Sequence, residues 1–127
     1  MGGHEAGEVA SGAIVAGLAK IGHIEQPSAF VNAVEDCLID VNRRLFAASS
    51  SRGKVMGSTV AAVLALPGYC LCMWAGDSRV YRLCNFELQE LTTDHSEVEE
   101  LIAEGSLARE DAEGYPGENV ITRAVGG

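Results

Sequence analysis

Four short strings of residues contain the side chains whose types and spacing could support chemistry. They are, in chain order, MGGHEAGEVAS (residues 1–11), GSTVAAVLAL (57–66), WAGDSRVYRL (74–83) and NVITRAVGG (119–127). Each string places glycine or a small hydroxyl residue at the edge of an apolar run, and most add a charged residue. Backbone can approach a ligand closely at such places, and a carboxylate can face it. The strings are therefore the candidate parts of a ligand-binding site.

The first string surrounds His4 with Gly2, Gly3 and Gly7 at the start of a predicted helix. Unpaired backbone N–H groups and the helix dipole favour an anion at such a start. The glycine spacing does not match the dinucleotide-binding or P-loop signatures, and no predicted strand precedes it. By itself the string is equally consistent with an anion site and with an ordinary helix entry.

The third string places Asp77 where one apolar strand ends and the next begins. An aspartate in this position often bonds to its own backbone, and local geometry alone favours this turn role. Further along, Asp94 and Ser96 precede an acidic stretch, and either could cap a helix there. We favour capping over catalysis for both, because a side chain at a helix start satisfies free N–H groups.

Two helices are predicted ahead of the strands, over residues 5–20 and 28–50. Pro27 suits the entry of the second helix. Gly12 and Gly17 weaken the first helix, so we expect another element to pack closely over them. The predicted buried stripes are Val9, Ala13, Ala16, Gly17 and Lys20 in the first helix and Phe30, Val34, Cys37, Val41, Leu45 and Ala48 in the second.

Two hairpins are predicted after the helices. The apolar runs 60–66 and 69–75 flank Pro67-Gly68, and their continuous apolar character predicts strands covered on both faces. Residues 79–84 and 87–91 flank a second short turn and include alternating polar residues, which predicts a more exposed hairpin. Helices followed by antiparallel hairpins favour separate α and β layers, which is the α+β class.

The composition fits one globular domain of 127 residues, with 47% hydrophobic and 21% charged residues. A net charge of −9 argues against binding to nucleic acid or to an anionic membrane surface. The longest apolar run, residues 60–66, is too short to span a bilayer. No secretory signal is visible, so we expect a cytoplasmic protein whose 4 cysteines are free thiols.

The residues of the four strings, and the order of the strings along the chain, resemble the motifs of the bacterial metal-dependent protein serine/threonine phosphatases, the type 2C family. The opening signature of that family is Asp-Gly-Met-Gly-Gly, and this sequence begins at the Met. The resemblance implies an α+β fold, part of a four-layer α/β/β/α sandwich with antiparallel sheets, and a flap at residues 94–118. It also implies hydrolysis of phosphoserine and phosphothreonine, with Mn²⁺ or Mg²⁺ bound at one edge of the sandwich.

The resemblance assigns roles to particular residues. His4 is implied as the general acid that protonates the leaving alcohol, Asp77 as a metal ligand, and Arg123 as an anchor of the flap. The other metal-binding carboxylates of the family, and its phosphate-binding arginine, belong to segments absent from this sequence. We therefore expect residues 1–127 to form an incomplete type 2C catalytic domain that is inactive alone.

The implied partner is a phosphoprotein substrate, modified by a serine/threonine kinase, and no nucleic acid or membrane partner is expected. Open sheet edges in an incomplete sandwich also predict self-association by strand pairing. The alternative to an enzyme fragment is a non-catalytic, pseudophosphatase-like binding or regulatory module, which would use its exposed layer and acidic flap to engage a partner.

Overall fold

The computed structural model describes residues 4–53 and 55–127, with every side chain in these ranges except those of His4, Glu5 and Arg52. Two helices come first, then two hairpins, then a short helix and a 3-10 turn. They are α1 (His4–Leu18), α2 (Pro27–Arg52), β1 (Val60–Leu66), β2 (Tyr69–Ala75), β3 (Tyr81–Cys84), β4 (Glu87–Glu90), α3 (Glu97–Ala103) and the turn Arg109–Asp111. Strand β1 pairs with β2, and β3 pairs antiparallel with β4. The predicted α+β class is confirmed.

The chain divides into two compact units. Unit 1 contains α1, α2, residues 63–71 of the first hairpin and the C-terminal residues 124–127. Unit 2 contains residues 59–62 and 72–123, which include the base of that hairpin, β3, β4 and α3. The two candidate site residues belong to different units, since His4 lies in unit 1 and Asp77 in unit 2.

Helix α2 has the buried stripe that its sequence predicts. Pro27 occupies its first turn, and Gly53 ends it with a left-handed φ of 62°. Val34, Val41 and Leu45 are buried on the side that the predicted stripe occupies. The polar residues on the opposite side of the helix are all exposed: Asn32, Asp36, Asp40 and Arg43. Large apolar residues recurring on one side of the helix therefore form the core of unit 1.

Helix α1 packs on α2 through a face that overlaps the predicted one only in part. Ala10 and Ile14 are buried, whereas Val9 is 50% exposed and Lys20 lies beyond the end of the helix. The predicted stripe is therefore wrong at Val9 and Lys20, whereas its member Gly17 does lie against α2. Small residues dominate α1, so its apolar residues fit more than one face, and the contact with α2 decides between them.

Gly17 lets α1 approach α2 closely. A Cβ atom at Gly17 would lie 2.9 Å from Cys37 Sγ and 3.2 Å from Val41 Cγ2, closer than ordinary packing allows. The expectation of close packing over Gly17 is therefore confirmed. The same expectation is wrong for Gly12, because a Cβ atom there would meet nothing within 4 Å.

The β1–β2 hairpin has the predicted bounds, and Gly68 supplies a positive φ of 86° in its turn. Leu64 is buried, but Val63 and Tyr69 are each 54% exposed. The expectation that both faces are covered is therefore wrong for this chain. A two-stranded hairpin buries little by itself, so the apolar residues of its second face stay in contact with solvent.

The C-terminal residues of unit 1 return to α2. Ser58 and Val125 form an antiparallel bridge, with N–H to carbonyl hydrogen bonds of 3.0 Å in both directions. The Gly126 N–H donates to Asn42 Oδ1 at 2.6 Å. With a φ of 91° and the Met56 carbonyl close by, Gly126 has no room for a side chain. The end of the chain is thereby fixed to the middle of α2.

The second hairpin turns at Asn85 and Phe86, whose φ values of 51° and 65° are those of a type I′ turn. Leu83 lies opposite Leu88, and every residue of both strands is exposed. The predicted exposed hairpin is confirmed.

All four cysteines of the chain are free, and two of them, Cys70 and Cys84, are exposed. Among the described residues, no helix combines the length and the apolar character needed to cross a membrane.

Candidate functional site

The candidate site of unit 2 is built around the turn that follows β2. Strand β2 ends at Ala75, and Gly76 has a φ of 105°, which an L side chain rarely adopts. Gly76 is buried against the Thr59 side chain, whose Cβ would lie 2.8 Å from a Cβ added to Gly76. Only glycine therefore fits at this position, and the Asp77 that follows it is exposed.

Ser78, directly after Asp77, contacts the residue that precedes β1. Its hydroxyl oxygen lies 2.8 Å from that of Thr59, within hydrogen-bond distance. Thr59 belongs to the second of the four strings, whereas Gly76, Asp77 and Ser78 belong to the third. The fold therefore brings these two strings together at the turn.

Arg79 and Asp94 form a bidentate ion pair beside the turn. Arg79 Nε donates to Asp94 Oδ1 at 2.9 Å, and Arg79 Nη2 donates to Asp94 Oδ2 at 2.6 Å. These hydrogen bonds raise the pKa of Arg79 above its usual value. Of the two predicted caps, Ser96 is the one that begins α3, because its hydroxyl accepts the Glu99 N–H at 3.3 Å. Both carboxylate oxygens of Asp94 instead accept hydrogen bonds from Arg79.

His95 connects the turn to the rest of unit 2. Its Nδ1 accepts the Gly76 N–H at 3.2 Å, and its own backbone N–H donates to the Gly76 carbonyl at 3.0 Å. The imidazole stacks on Trp74, with ring centres 5.8 Å apart and planes 9° from parallel. Burial lowers the pKa of His95, and the positive charge of Arg123 lowers it further. The neutral ring is favoured, which is the form that can accept a hydrogen bond at Nδ1.

Sequence reasoning interpreted residues 94–96 as a helix start and missed His95. The partner of its ring lies 19 residues back along the chain, so no local spacing indicates the contact. The sequence contains only a weak signal for this role, which is that His95 lies between the two polar capping candidates Asp94 and Ser96. This marks the position as polar without naming its partner.

Residues 119–123 bring part of the fourth string to the same place. The Thr122 N–H donates to the His95 carbonyl at 2.9 Å. Arg123 is exposed, and its charge acts on the pKa of His95. The hydrogen bond that ties this segment to His95 is a backbone one, so anchoring of the flap by the Arg123 side chain stays a prediction.

His4 begins helix α1, but its side chain lies outside the described part of the structure. Its role as a general acid, implied by the family resemblance, therefore stays a prediction.

Asp77 offers a carboxylate oxygen, the kind of hard ligand that Mg²⁺ and Mn²⁺ bind. Within the described ranges, no group of three or more His, Cys, Asp or Glu side chains is arranged to hold a metal ion. Asp77 could therefore supply one ligand to a metal ion. The described residues do not surround a metal ion with further ligands.

Proteins similar to this chain are bacterial phosphatases, although no protein-family model matches it. The serine/threonine phosphatase Stp of Listeria monocytogenes is 36% identical, over 99% of this chain and 52% of its own length. The structure of the S. agalactiae serine/threonine phosphatase is 32% identical over 100% of this chain and 54% of that chain, with a TM-score of 0.91. The catalytic domain of the phosphatase PstP, in complex with 2 manganese ions, is 31% identical over 98% of this chain and 53% of that chain, with a TM-score of 0.71.

The chain spans about half the length of the relatives that it matches. The match nevertheless covers nearly all of this chain, in sequence and in fold. The resemblance carried by the four strings is therefore confirmed. By both measures, this chain matches about one half of the type 2C serine/threonine phosphatases over nearly all of its own length.

Proposed function

We propose that this chain acts as part of a metal-dependent phosphatase that removes phosphate from serine and threonine residues of proteins. The observation that carries the proposal is the turn at Asp77. There, an exposed carboxylate lies between two anchored neighbours, in a chain that matches a type 2C phosphatase over 99% of its length. The similar PstP domain was solved with manganese, which supports Mn²⁺ or Mg²⁺ as the cofactor.

Two residues of this chain would have roles in the reaction. Asp77 would supply a carboxylate ligand, and His4 would donate a proton to the departing serine or threonine alkoxide. Divalent ions in such sites lower the pKa of bound water and neutralise charge on the phosphoryl oxygens. The substrate would be a phosphoprotein produced by a serine/threonine kinase. With a net charge of −9, the chain must meet the anionic phosphate through local groups.

We further propose that residues 1–127 are an incomplete catalytic domain without phosphatase activity of their own. Two divalent ions need several carboxylates between them, and the described residues contain no cluster that would supply them. The share of the Listeria phosphatase that the chain matches, 52%, supports this proposal.

A chimaera tests both proposals. In it, this chain replaces the matching half of the Listeria monocytogenes phosphatase, and hydrolysis of a phosphothreonine peptide is measured against Mn²⁺ concentration. We expect turnover by the chimaera and none by the chain alone. Asp77→Asn should lower turnover about tenfold or more and raise the Mn²⁺ requirement. Asp36→Asn is the matched control, because Asp36 is an exposed carboxylate on α2 whose loss should change neither quantity.

Two results would contradict these proposals. Chelator-sensitive turnover by the chain alone would refute its inactivity. A folded chimaera without turnover, its fold checked by circular dichroism, would refute the enzymatic role and favour the non-catalytic, pseudophosphatase-like module.

A further inference from the structure

The backbone is anchored on both sides of Asp77, although the Asp77 side chain itself is exposed. On one side, the N–H and the carbonyl of Gly76 are both hydrogen-bonded to His95, at 3.2 and 3.0 Å. On the other side, the Ser78 hydroxyl lies 2.8 Å from the Thr59 hydroxyl. The carboxylate is therefore accessible while its attachment to the fold is fixed.

The imidazole of His95 is itself kept in one orientation. It stacks on Trp74, and Trp74 Nε1 donates to the Thr93 carbonyl at 2.8 Å. The His95 carbonyl accepts the Thr122 N–H at 2.9 Å. A ring restrained at its face and through its backbone presents Nδ1 to Gly76 as a preorganised acceptor. The proton of the neutral ring then lies at Nε2.

We propose that His95 is a positioning residue, which fixes the peptide preceding Asp77 so that the carboxylate is presented for metal binding. The inference rests on the proposed function, because it takes Asp77 as a metal ligand. His95 acts through Gly76 and does not bind the metal, since its Nδ1 accepts the Gly76 N–H and its Nε2 carries the ring proton. Residues that orient a ligand in this way commonly affect metal affinity strongly.

Two substitutions separate the acceptor from the ring. His95→Phe keeps a flat ring for stacking on Trp74 and removes the acceptor. His95→Asn removes the ring and keeps an oxygen acceptor near the position of Nδ1. If the acceptor positions the turn, His95→Asn resembles the wild type and His95→Phe does not. A role in packing alone predicts the opposite order.

Nuclear magnetic resonance of the ¹⁵N-labelled chain supplies the measurements. In the wild type, a scalar coupling between the Gly76 amide nitrogen and His95 Nδ1 reports their hydrogen bond directly. We expect His95→Phe to accelerate hydrogen exchange of the Gly76 amide about tenfold or more. The Mn²⁺ concentration that half-broadens the amide signals of Asp77 and Ser78 should rise severalfold. In His95→Asn, both quantities should stay within about twofold of the wild type.

The outcomes distinguish the two proposals. Absence of the coupling in the wild-type chain overturns the positioning role without any variant, and so does a His95→Phe chain with unchanged exchange and Mn²⁺ midpoint. If Mn²⁺ broadens no signal near Asp77 in the wild type, metal binding at Asp77 fails and the proposed function fails with it. Exchange of the Gly76 amide then still decides whether His95 fixes the turn.

Discussion

Substitution of Gly76 by alanine tests the close packing beneath the candidate site. Gly76 has a φ of 105°, and a Cβ atom there would lie 2.8 Å from Thr59 Cβ and closer still to Thr59 Cγ2. Gly68, in the β1–β2 turn, has a φ of 86°, but a Cβ atom there would meet nothing within 4 Å. The two alanine variants therefore share backbone strain and differ in the steric clash.

The expected magnitudes follow from these two contributions. Strain at positive φ costs about 1–3 kcal/mol in either variant. Forcing a methyl group against a packed side chain adds about 1–3 kcal/mol for Gly76→Ala only. We expect its free energy of unfolding to fall about 2 kcal/mol below that of Gly68→Ala. For a chain of 127 residues, this corresponds to a Tm about 8 °C lower.

Tryptophan fluorescence during urea unfolding is a suitable assay. Trp74 is the single tryptophan of the chain and lies in unit 2, so it reports on the part that contains Gly76. Adding Thr59→Ser removes Cγ2 and keeps the hydroxyl that contacts Ser78, so it should recover part of the lost stability. Equal unfolding midpoints for Gly76→Ala and Gly68→Ala would refute the close approach of Thr59.

Five further outcomes are expected. Gly12→Ala should raise the free energy of unfolding by about 1 kcal/mol, because its position is open. Gly17→Ala should lower the free energy of unfolding, because α2 lies too close to accept a methyl group there. If urea unfolding showed that Gly17→Ala stabilises the chain as much as Gly12→Ala does, this close packing would be contradicted. The lowered pKa of His95 predicts stability that is present above pH 6.5 and lost as the pH falls through the pKa of the folded chain, because the unfolded chain then binds a proton more readily. His95→Asn should flatten this pH profile, and an unchanged profile would assign the effect to other groups. In the chimaera, His4→Ala should slow phosphoserine peptides much more than aryl phosphates, whose leaving groups need little protonation. Equal losses would argue against the acid role. The exposed apolar face of the β1–β2 hairpin should cause self-association by strand pairing, visible as dimers or larger species in sedimentation velocity. A monomer that unfolds cooperatively would show that this surface tolerates solvent.

Local signals were sufficient to predict both hairpins and helix α2. Pro67-Gly68 marks the first turn because glycine readily adopts the φ of 86° found there, and Asn85 suits the φ of 51° in the second turn. Helix α2 is long, and its large apolar residues recur on one side, so spacing alone identifies the buried face.

Features that depend on distant packing could not be predicted in the same way. In α1, Ala10 is buried and Val9 is exposed because of the contact with α2. The sequence does not predict this, since apolar residues occupy several faces of the helix. The exposure of Val63 depends on how many strands cover its hairpin, and a continuous apolar run does not contain that information.

The position of the candidate site could be predicted from the sequence, but the hydrogen bonds that hold it in place could not. The place of Asp77 after an apolar strand follows from the sequence. The anchoring of Gly76 by His95 crosses 19 residues and exists only once unit 2 has folded. The choice of Ser96 over Asp94 as the cap of α3 likewise accompanies the pairing of Asp94 with Arg79, 15 residues away.

The hydrogen bond between Asn42 and Gly126 joins residues that are 84 positions apart. Since residues 72–123 belong to unit 2, all of that unit is synthesised before the last segment of unit 1. At about 5–20 residues per second, Gly126 is made roughly 4–17 s after Asn42. The nascent helix pair must persist through that interval without its final contact. The order of synthesis therefore allows unit 2 to fold before the closing contact of unit 1 can form.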